Sequence, residues 1–157
     1  MGVRAATTVD YRALTATDEP AVRELYTGMD HEDRHFRYIG RPPNDYDVVA
    51  RALVTNDSSH GAMGAYVDDS LVGAANFHVL EPKTAEVAIV VEHDAQGRGI
   101  GTDLLHELGD LARRRGIRRF VAEIRSTNSK MLELLVDSDF PIAADRTDGI
   151  VWVALQL

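Results

Sequence analysis

The 157 residues include no cysteine, which removes disulfides, thiol nucleophiles and cysteine-bound metals from consideration. Lysine is scarce: two lysines stand beside fifteen arginines. No apolar run approaches the ~18 residues of a membrane span, and the N-terminus carries no leader pattern. A cytoplasmic protein with no membrane partner is therefore expected. Positive charge is in deficit, with 17 Lys and Arg against 25 Asp and Glu, a net charge of −8. Such a balance argues against non-specific nucleic-acid binding, which relies on cations facing phosphates. It suits a cationic substrate instead, such as an amine or a lysine side chain. The six histidines show no metal-ligand spacing beyond His31-x3-His35, which lacks a third ligand, so no metal is expected.

The remaining composition is that of a globular chain, 45% hydrophobic and 27% charged. Its length fits one domain over 1–157, without repeats or linkers. Val3 to Leu14 alternates loosely and predicts a first strand. Thr17-Asp18-Glu19-Pro20 starts a helix with a cap, acids and a first-turn proline, and Val22, Leu25, Tyr26 and Met29 follow on one face. Short helices are expected over Asp30 to Tyr38 and Asp45 to Val54. From Ala62 the period becomes that of strands. Ala62 to Val67 and Leu71 to Leu80 flank an Asp68-Asp69-Ser70 turn as a hairpin, and Ala85 to Glu92 follows.

Leu104, Leu105, Leu108, Leu111 and Ala112 form the core-facing stripe of a helix from Thr102 to Arg115, which Gly116 stops. A strand over Arg119 to Ile124, a helix over Asn128 to Val136 and two closing strands, Ile142 to Arg146 and Ile150 to Leu157, complete the pattern. The reading is α+β: a mixed sheet of six or seven strands with helices on both faces. Phe77 and Trp152 are assigned to the core. Arg113-Arg114-Arg115 is read as a solvated helix end, or as a partner for a ligand phosphate were the helix shorter.

The most informative stretch runs from Val87 to Thr102. An apolar, β-branched strand ends in a polar corner, glycines follow at Gly97, Gly99 and Gly101, and a helix begins at once. Glycine permits a tight turn and close backbone approach. The first amides of a helix lack intrahelical acceptors and sit at the positive end of its dipole. Together they make a seat for a phosphate or pyrophosphate. A Walker loop is excluded, because Gly101 is followed by Thr102 with no lysine. The dinucleotide fingerprint fits poorly too, since Gly-x-Gly-x-Gly replaces Gly-x-Gly-x-x-Gly and too little chain remains for a doubly wound sheet.

What fits is Gln-x-x-Gly-x-Gly at Gln96, Gly99 and Gly101. Here the chain resembles the GNAT superfamily of N-acetyltransferases, whose acetyl-CoA pyrophosphate sits on such a loop. Asn128, followed twelve residues later by Phe140, resembles the family's next segment, where the asparagine approaches the pantetheine arm. The resemblance covers nearly the whole chain and implies a GNAT-like, mostly antiparallel mixed sheet. It also implies acetyl-CoA as cosubstrate, bound through Ile89, Val90, Val91, Gln96, Gly97, Arg98, Gly99, Ile100, Gly101, Thr102 and Asn128. An amide of Val90 or its neighbour would polarise the thioester carbonyl.

Acetyl transfer to an amine needs an anchored donor, loss of a proton from the ammonium and stabilisation of the carbonyl oxygen. A lysine at its ordinary pKa is only about 0.1% neutral at pH 7, so a carboxylate base is the usual remedy. Glu86, ten residues before Gln96 and on one strand face with Ala88 and Val90, is the candidate. Ala85-Glu86-Val87-Ala88 and the glycine loop look most like bacterial protein-lysine acetyltransferases, where a glutamate at this place is the general base. The Glu32-x-Arg34-x-x-x-Tyr38 spacing resembles the helical segment lining their substrate side. Many GNAT enzymes place a tyrosine seven residues after the asparagine as general acid; here that residue is Leu135.

The resemblance implies an N-acetyltransferase acting on a protein lysine, such as one on an acyl-CoA synthetase. A small amine (an antibiotic, polyamine or amino acid) is the alternative acceptor, and a non-catalytic acyl-CoA sensor the alternative class. His78 is a reserve base, and a monomer and a homodimer are both open.

Overall fold

The computed structural model describes residues 8–157. The strands are β1 (Asp10–Ala13), β2 (His60–Val67), β3 (Ser70–Glu81), β4 (Thr84–Val91), β5 (Arg119–Arg125), β6 (Ile142–Thr147) and β7 (Ile150–Gln156). The helices are α1 (Glu19–Thr27), α2 (His31–Arg37), α3 (Tyr46–Val54), α4 (Ile100–Arg114) and α5 (Ser129–Asp137). All seven strands join one sheet in the order β1-β2-β3-β4-β5-β7-β6. Neighbours are antiparallel except β4 and β5, which run parallel. The expected mixed, mostly antiparallel sheet is observed. The first expected strand survives over Asp10–Ala13, while residues 3–7 lie outside the described residues.

Local chemistry explains the element ends. Pro20 occupies the first turn of α1, where its missing N–H costs nothing. The β2–β3 turn holds Asp68 and Asp69 at positive φ, and Asp148-Gly149 does the same between β6 and β7; both match the right-handed twist of a hairpin. Gly116 adopts φ +80° just past α4, where the amide of Ile117 reaches back to the Ala112 carbonyl. Asn128 caps α5 by accepting from the Met131 amide at 3.2 Å.

Strand alternation sends the sheet's side chains into two cores. On one face, Leu104, Leu105 and Leu108 of α4 and Leu135 of α5 bury against Phe77, Ile89, Phe120 and Val153. On the other, Val22, Leu25 and Tyr26 of α1 and Ala50 and Leu53 of α3 bury against Ala62, Ala74 and Val90. Each fully buried aliphatic or aromatic side chain contributes roughly 1.5–3 kcal/mol by leaving water. No residue of β5, β6 or β7 belongs to the second core. On that face the buried helix contacts lie over β2, β3 and the upper part of β4.

One assignment changes: Trp152 is half exposed on the outward face of β7, whereas Phe77 is fully buried as expected. Arg113, Arg114 and Arg115 are exposed, as expected of a solvated helix end, and the Arg115 guanidinium also donates to the carbonyls of Asp57 and His60 and lies over Phe77. The arginine triplet sits at the far end of a 15-residue helix from the glycine loop, roughly 20 Å away. It cannot meet a phosphate held there.

Candidate functional site

The sheet opens between its two parallel strands. β4 and β5 pair only from Thr84 to Glu86 against Arg119 to Val121, yet β4 continues to Val91 and β5 to Arg125. Beyond Glu86 the strands diverge, leaving one edge of β4 without a partner. Which amides line that edge follows from the register. The Glu92 amide donates to the Val72 carbonyl at 2.7 Å, and Gly73 pairs with Val91. Residues of even number in β4 therefore turn their backbone groups toward β3. Ile89 and Val91 turn theirs into the opening, and there the Val91 carbonyl accepts from Gln96 Nε2 at 3.0 Å. The Val90 amide is committed to β3, so of the expected carbonyl-polarising donors the neighbours of Val90 have the right aspect.

The opening leads to the glycine loop. A single 3₁₀ turn, His93–Ala95, ends β4, and Gln96 follows. Gly97 and Gly99 both adopt φ +80°, and a Cβ built on either would meet nothing within 4 Å. Gly99 is the N-cap of α4, and the helix's first backbone bond runs from the Asp103 amide to the Gly99 carbonyl at 3.0 Å. The amides of Ile100, Gly101 and Thr102 thus precede any intrahelical acceptor. They stand at the positive end of a 15-residue dipole behind an open, glycine-lined approach. A diphosphate fits this cradle.

Gly101 has a different reason to be glycine. A Cβ there would overlap Leu134 Cδ1 of α5. Of the three glycines, two shape the loop and the third lets α4 and α5 approach closely.

Gln96 works as a clamp. Its amide nitrogen also lies 3.4 Å from Asp33 Oδ1 of α2, and its oxygen accepts from Lys130 Nζ of α5 at 3.0 Å. With its polar atoms engaged inside the protein, the side chain holds the loop rather than reaching out to a ligand. Arg98 is exposed beside the loop. Asn128 is buried, with its oxygen engaged as the α5 cap and its amide nitrogen left for other partners.

Helix α2 spans the opening from β4 to β5. At its start, Asp30 and Asp33 lie 3.5 and 3.8 Å from His93 Nδ1. At its end, Arg125 of β5 donates to the carbonyls of His35 (3.0 Å) and Tyr38 (3.4 Å). Neither Arg125 nor the Asp30–Asp33–His93 grouping is visible in sequence spacing, since the contacts span 60 to 90 residues. The same is true of Tyr26 Oη, Tyr38 Oη and Asn76 Oδ1, three of the six buried side-chain polar atoms without partners among the described residues. Burial pushes the Tyr38 phenol above its ordinary range, with Arg37 and Arg34 acting in the opposite direction.

Glu86 stands at the vertex of the opening, the last residue of β4 paired with β5. Its side chain is exposed and shares a sheet face with Val90 and with His78, its partner on β3. His78 stacks on His60, ring centroids 5.5 Å apart. Leu135 is buried in the core.

A sheet opened between parallel strands, with amides lining one edge and a helix start at its mouth, suits a ligand that joins a diphosphate to an extended arm. Residues 20–137 match the family model described as the acetyltransferase (GNAT) family, and the chain belongs to that family. It is an acetyl-CoA-dependent N-acetyltransferase. It resembles the GNAT domain of S. lividans PAT, with 25% identity and a TM-score of 0.84 over 98% of this chain and 93% of that one. YwnH of Bacillus subtilis (strain 168), provisionally named a phosphinothricin acetyltransferase, is 28% identical over 134 residues, 85% of this chain and 71% of YwnH. The fold is shared with yncA of Salmonella typhimurium, solved with its cofactor acetyl-CoA. That likeness has 23% identity and a TM-score of 0.76 over 96% of this chain and 94% of that one.

Proposed function

We propose that this enzyme transfers acetyl from acetyl-CoA directly to the side-chain amine of a protein lysine, such as one on an acyl-CoA synthetase, with Glu86 as general base. The observation that carries the proposal is the position of Glu86, an exposed carboxylate at the vertex where the β4 edge becomes free. Acetyl-CoA supplies the activated acetyl thioester. The amides of Gly97 to Thr102 hold its diphosphate, with Arg98 alongside and the Asn128 amide nitrogen facing the pantetheine arm. The free edge of Ile89 to Val91 pairs with that arm as an added strand would.

Glu86 takes a proton from the incoming ammonium, directly or through one water. The amine nitrogen then bonds to the acyl carbon as the carbon–sulfur bond breaks. The Ile89 or Val91 amide faces the carbonyl oxygen as charge grows on it. Leu135 offers no proton, so the departing thiolate takes one from water. The sheet face beside Glu86 is a groove open to solvent, and that openness supports a macromolecular acceptor.

The resemblance to YwnH favours a second reading, a small amine as acceptor. Incubating proteins and a panel of amines with labelled acetyl-CoA, followed by mass spectrometry, separates the two. Glu86→Gln should lower kcat by about 10²–10⁴-fold while acetyl-CoA binding by calorimetry is kept. Unchanged turnover in that variant would remove Glu86 as base. Acetyl-CoA binding without turnover in either form would favour a sensor.

A further inference from the structure

We infer that the sheet face around Trp152 is a second acceptor subsite. It takes a lysine or arginine about four residues from the acetylated lysine, in an extended segment laid across β5 and β7. The inference rests on the protein-lysine reading above and deepens it.

The observations are of four kinds. No residue of β5, β7 or β6 joins the helix-covered core on this face; α2 meets it at Arg125, at the end of β5, and the rest carries a groove of about 300 Å³. Trp152 stands in that groove and is 50% exposed, although it is the chain's single tryptophan and is paired with a strand on either side. Both of its cross-strand partners are carboxylates, Glu123 on β5 and Asp145 on β6. Directly opposite residues on one face have Cβ atoms about 4.5–5.5 Å apart, so an indole π-face is flanked by two anions. Finally, the groove is continuous with Glu86, which lines its other end.

Charge complementarity selects the occupant. The groove's ionisable groups are Glu86, Glu123, Asp145 and Arg119, and among the described residues none of the four is in an ion pair. An aromatic face between unpaired carboxylates attracts a cation through the ring quadrupole and through Coulomb's law together. A second copy of this chain is disfavoured, because a two-fold contact would set these carboxylates against their own copies.

The spacing sets the register. Glu86 pairs with Val121, Val121 with Ala154, and Trp152 is two residues along from Ala154. Two strand spacings and two residues of rise put Trp152 about 12 Å from Glu86. An extended peptide covers that in about four residues, and residues four apart face the same side. A lysine reaching the opening at Glu86 therefore places its fourth neighbour over Trp152.

The test compares two peptides that share one acceptor lysine and carry arginine or alanine four residues away. The wild-type enzyme should prefer the arginine peptide by about ten-fold in kcat/KM, the difference lying in KM. Trp152→Ala and, separately, the charge-neutralising pair Glu123→Gln with Asp145→Asn should bring that ratio toward one. The second variant keeps the tryptophan packing, so a folding defect in the first does not decide the outcome. Equal use of the two peptides by wild type, or a preference surviving in both variants, overturns the subsite and leaves the lysine reading intact. If no peptide is acetylated while spermidine is, both fall.

Discussion

Asp18 concentrates more polar contacts than any other carboxylate at the α1 side of the sheet. Burial raises its pKa, but bonds from the Tyr66 hydroxyl, the Arg12 guanidinium and the Thr15 amide outweigh that and hold it at about 2. Arg12 also lies over the Tyr66 ring, 4.2 Å from its centroid. A carboxyl depressed in the folded state favours folding at every pH above its unfolded value. That contribution disappears as the pH drops through the folded value. Here it amounts to about 2 kcal/mol at pH 7 and is lost between about pH 4 and pH 2. Asp18→Asn should therefore lower stability by about that much in denaturant titrations at pH 7. Near pH 2 the two proteins should converge, and a gap independent of pH would show that the network acts by shape and not by charge.

At the scale of elements, the approach of α4 to α5 decides how the cofactor loop is held. Gly101 and Leu134 share one space, so Gly101→Ala forces the Leu134 side chain to turn aside, a packing loss that offsets the ~1 kcal/mol alanine gains over glycine inside a helix. Leu134→Ala in the same chain should recover part of that loss, a coupling that a double-mutant cycle of melting temperatures measures. Strict additivity of the two changes would contradict the shared space. This contact also marks where sequence reasoning stops. The α4 stripe, the hairpin turns and the strand–glycine–helix junction are legible because each is a period or a dihedral preference written within a few residues. The division of labour among the three glycines is not, because Gly101 answers to a side chain 33 residues away. Likewise, alternation tells that Trp152 faces away from Val151 and Val153. It says nothing about whether a helix covers the face that Trp152 joins. The divergence of β4 from β5, and the Arg125 bonds that tie α2 across it, depend on pairings between distant segments.

For the whole molecule, the two substrates meet opposite fields. A net charge of −8 surrounds the proposed diphosphate seat, whose donors apart from Arg98 are uncharged amides, so short-range hydrogen bonds within one helix turn would hold the donor. The proposed acceptor carries positive charge and comes to the face bearing Glu86, Glu123 and Asp145, so its encounter gains from the long-range field. Salt screens the two unequally, because the Debye length shrinks from about 20 Å near 20 mM to below 6 Å near 300 mM. The kcat/KM for a basic acceptor peptide should fall several-fold over that range, mostly through KM. The kcat/KM for acetyl-CoA, an anion approaching an acidic protein, should not fall in parallel. Steady-state rates at five or six salt concentrations, with each substrate varied while the other saturates, give both slopes. Parallel slopes would mean that the acidic balance has no part in choosing the acceptor, and that selection rests on contacts within the opening alone.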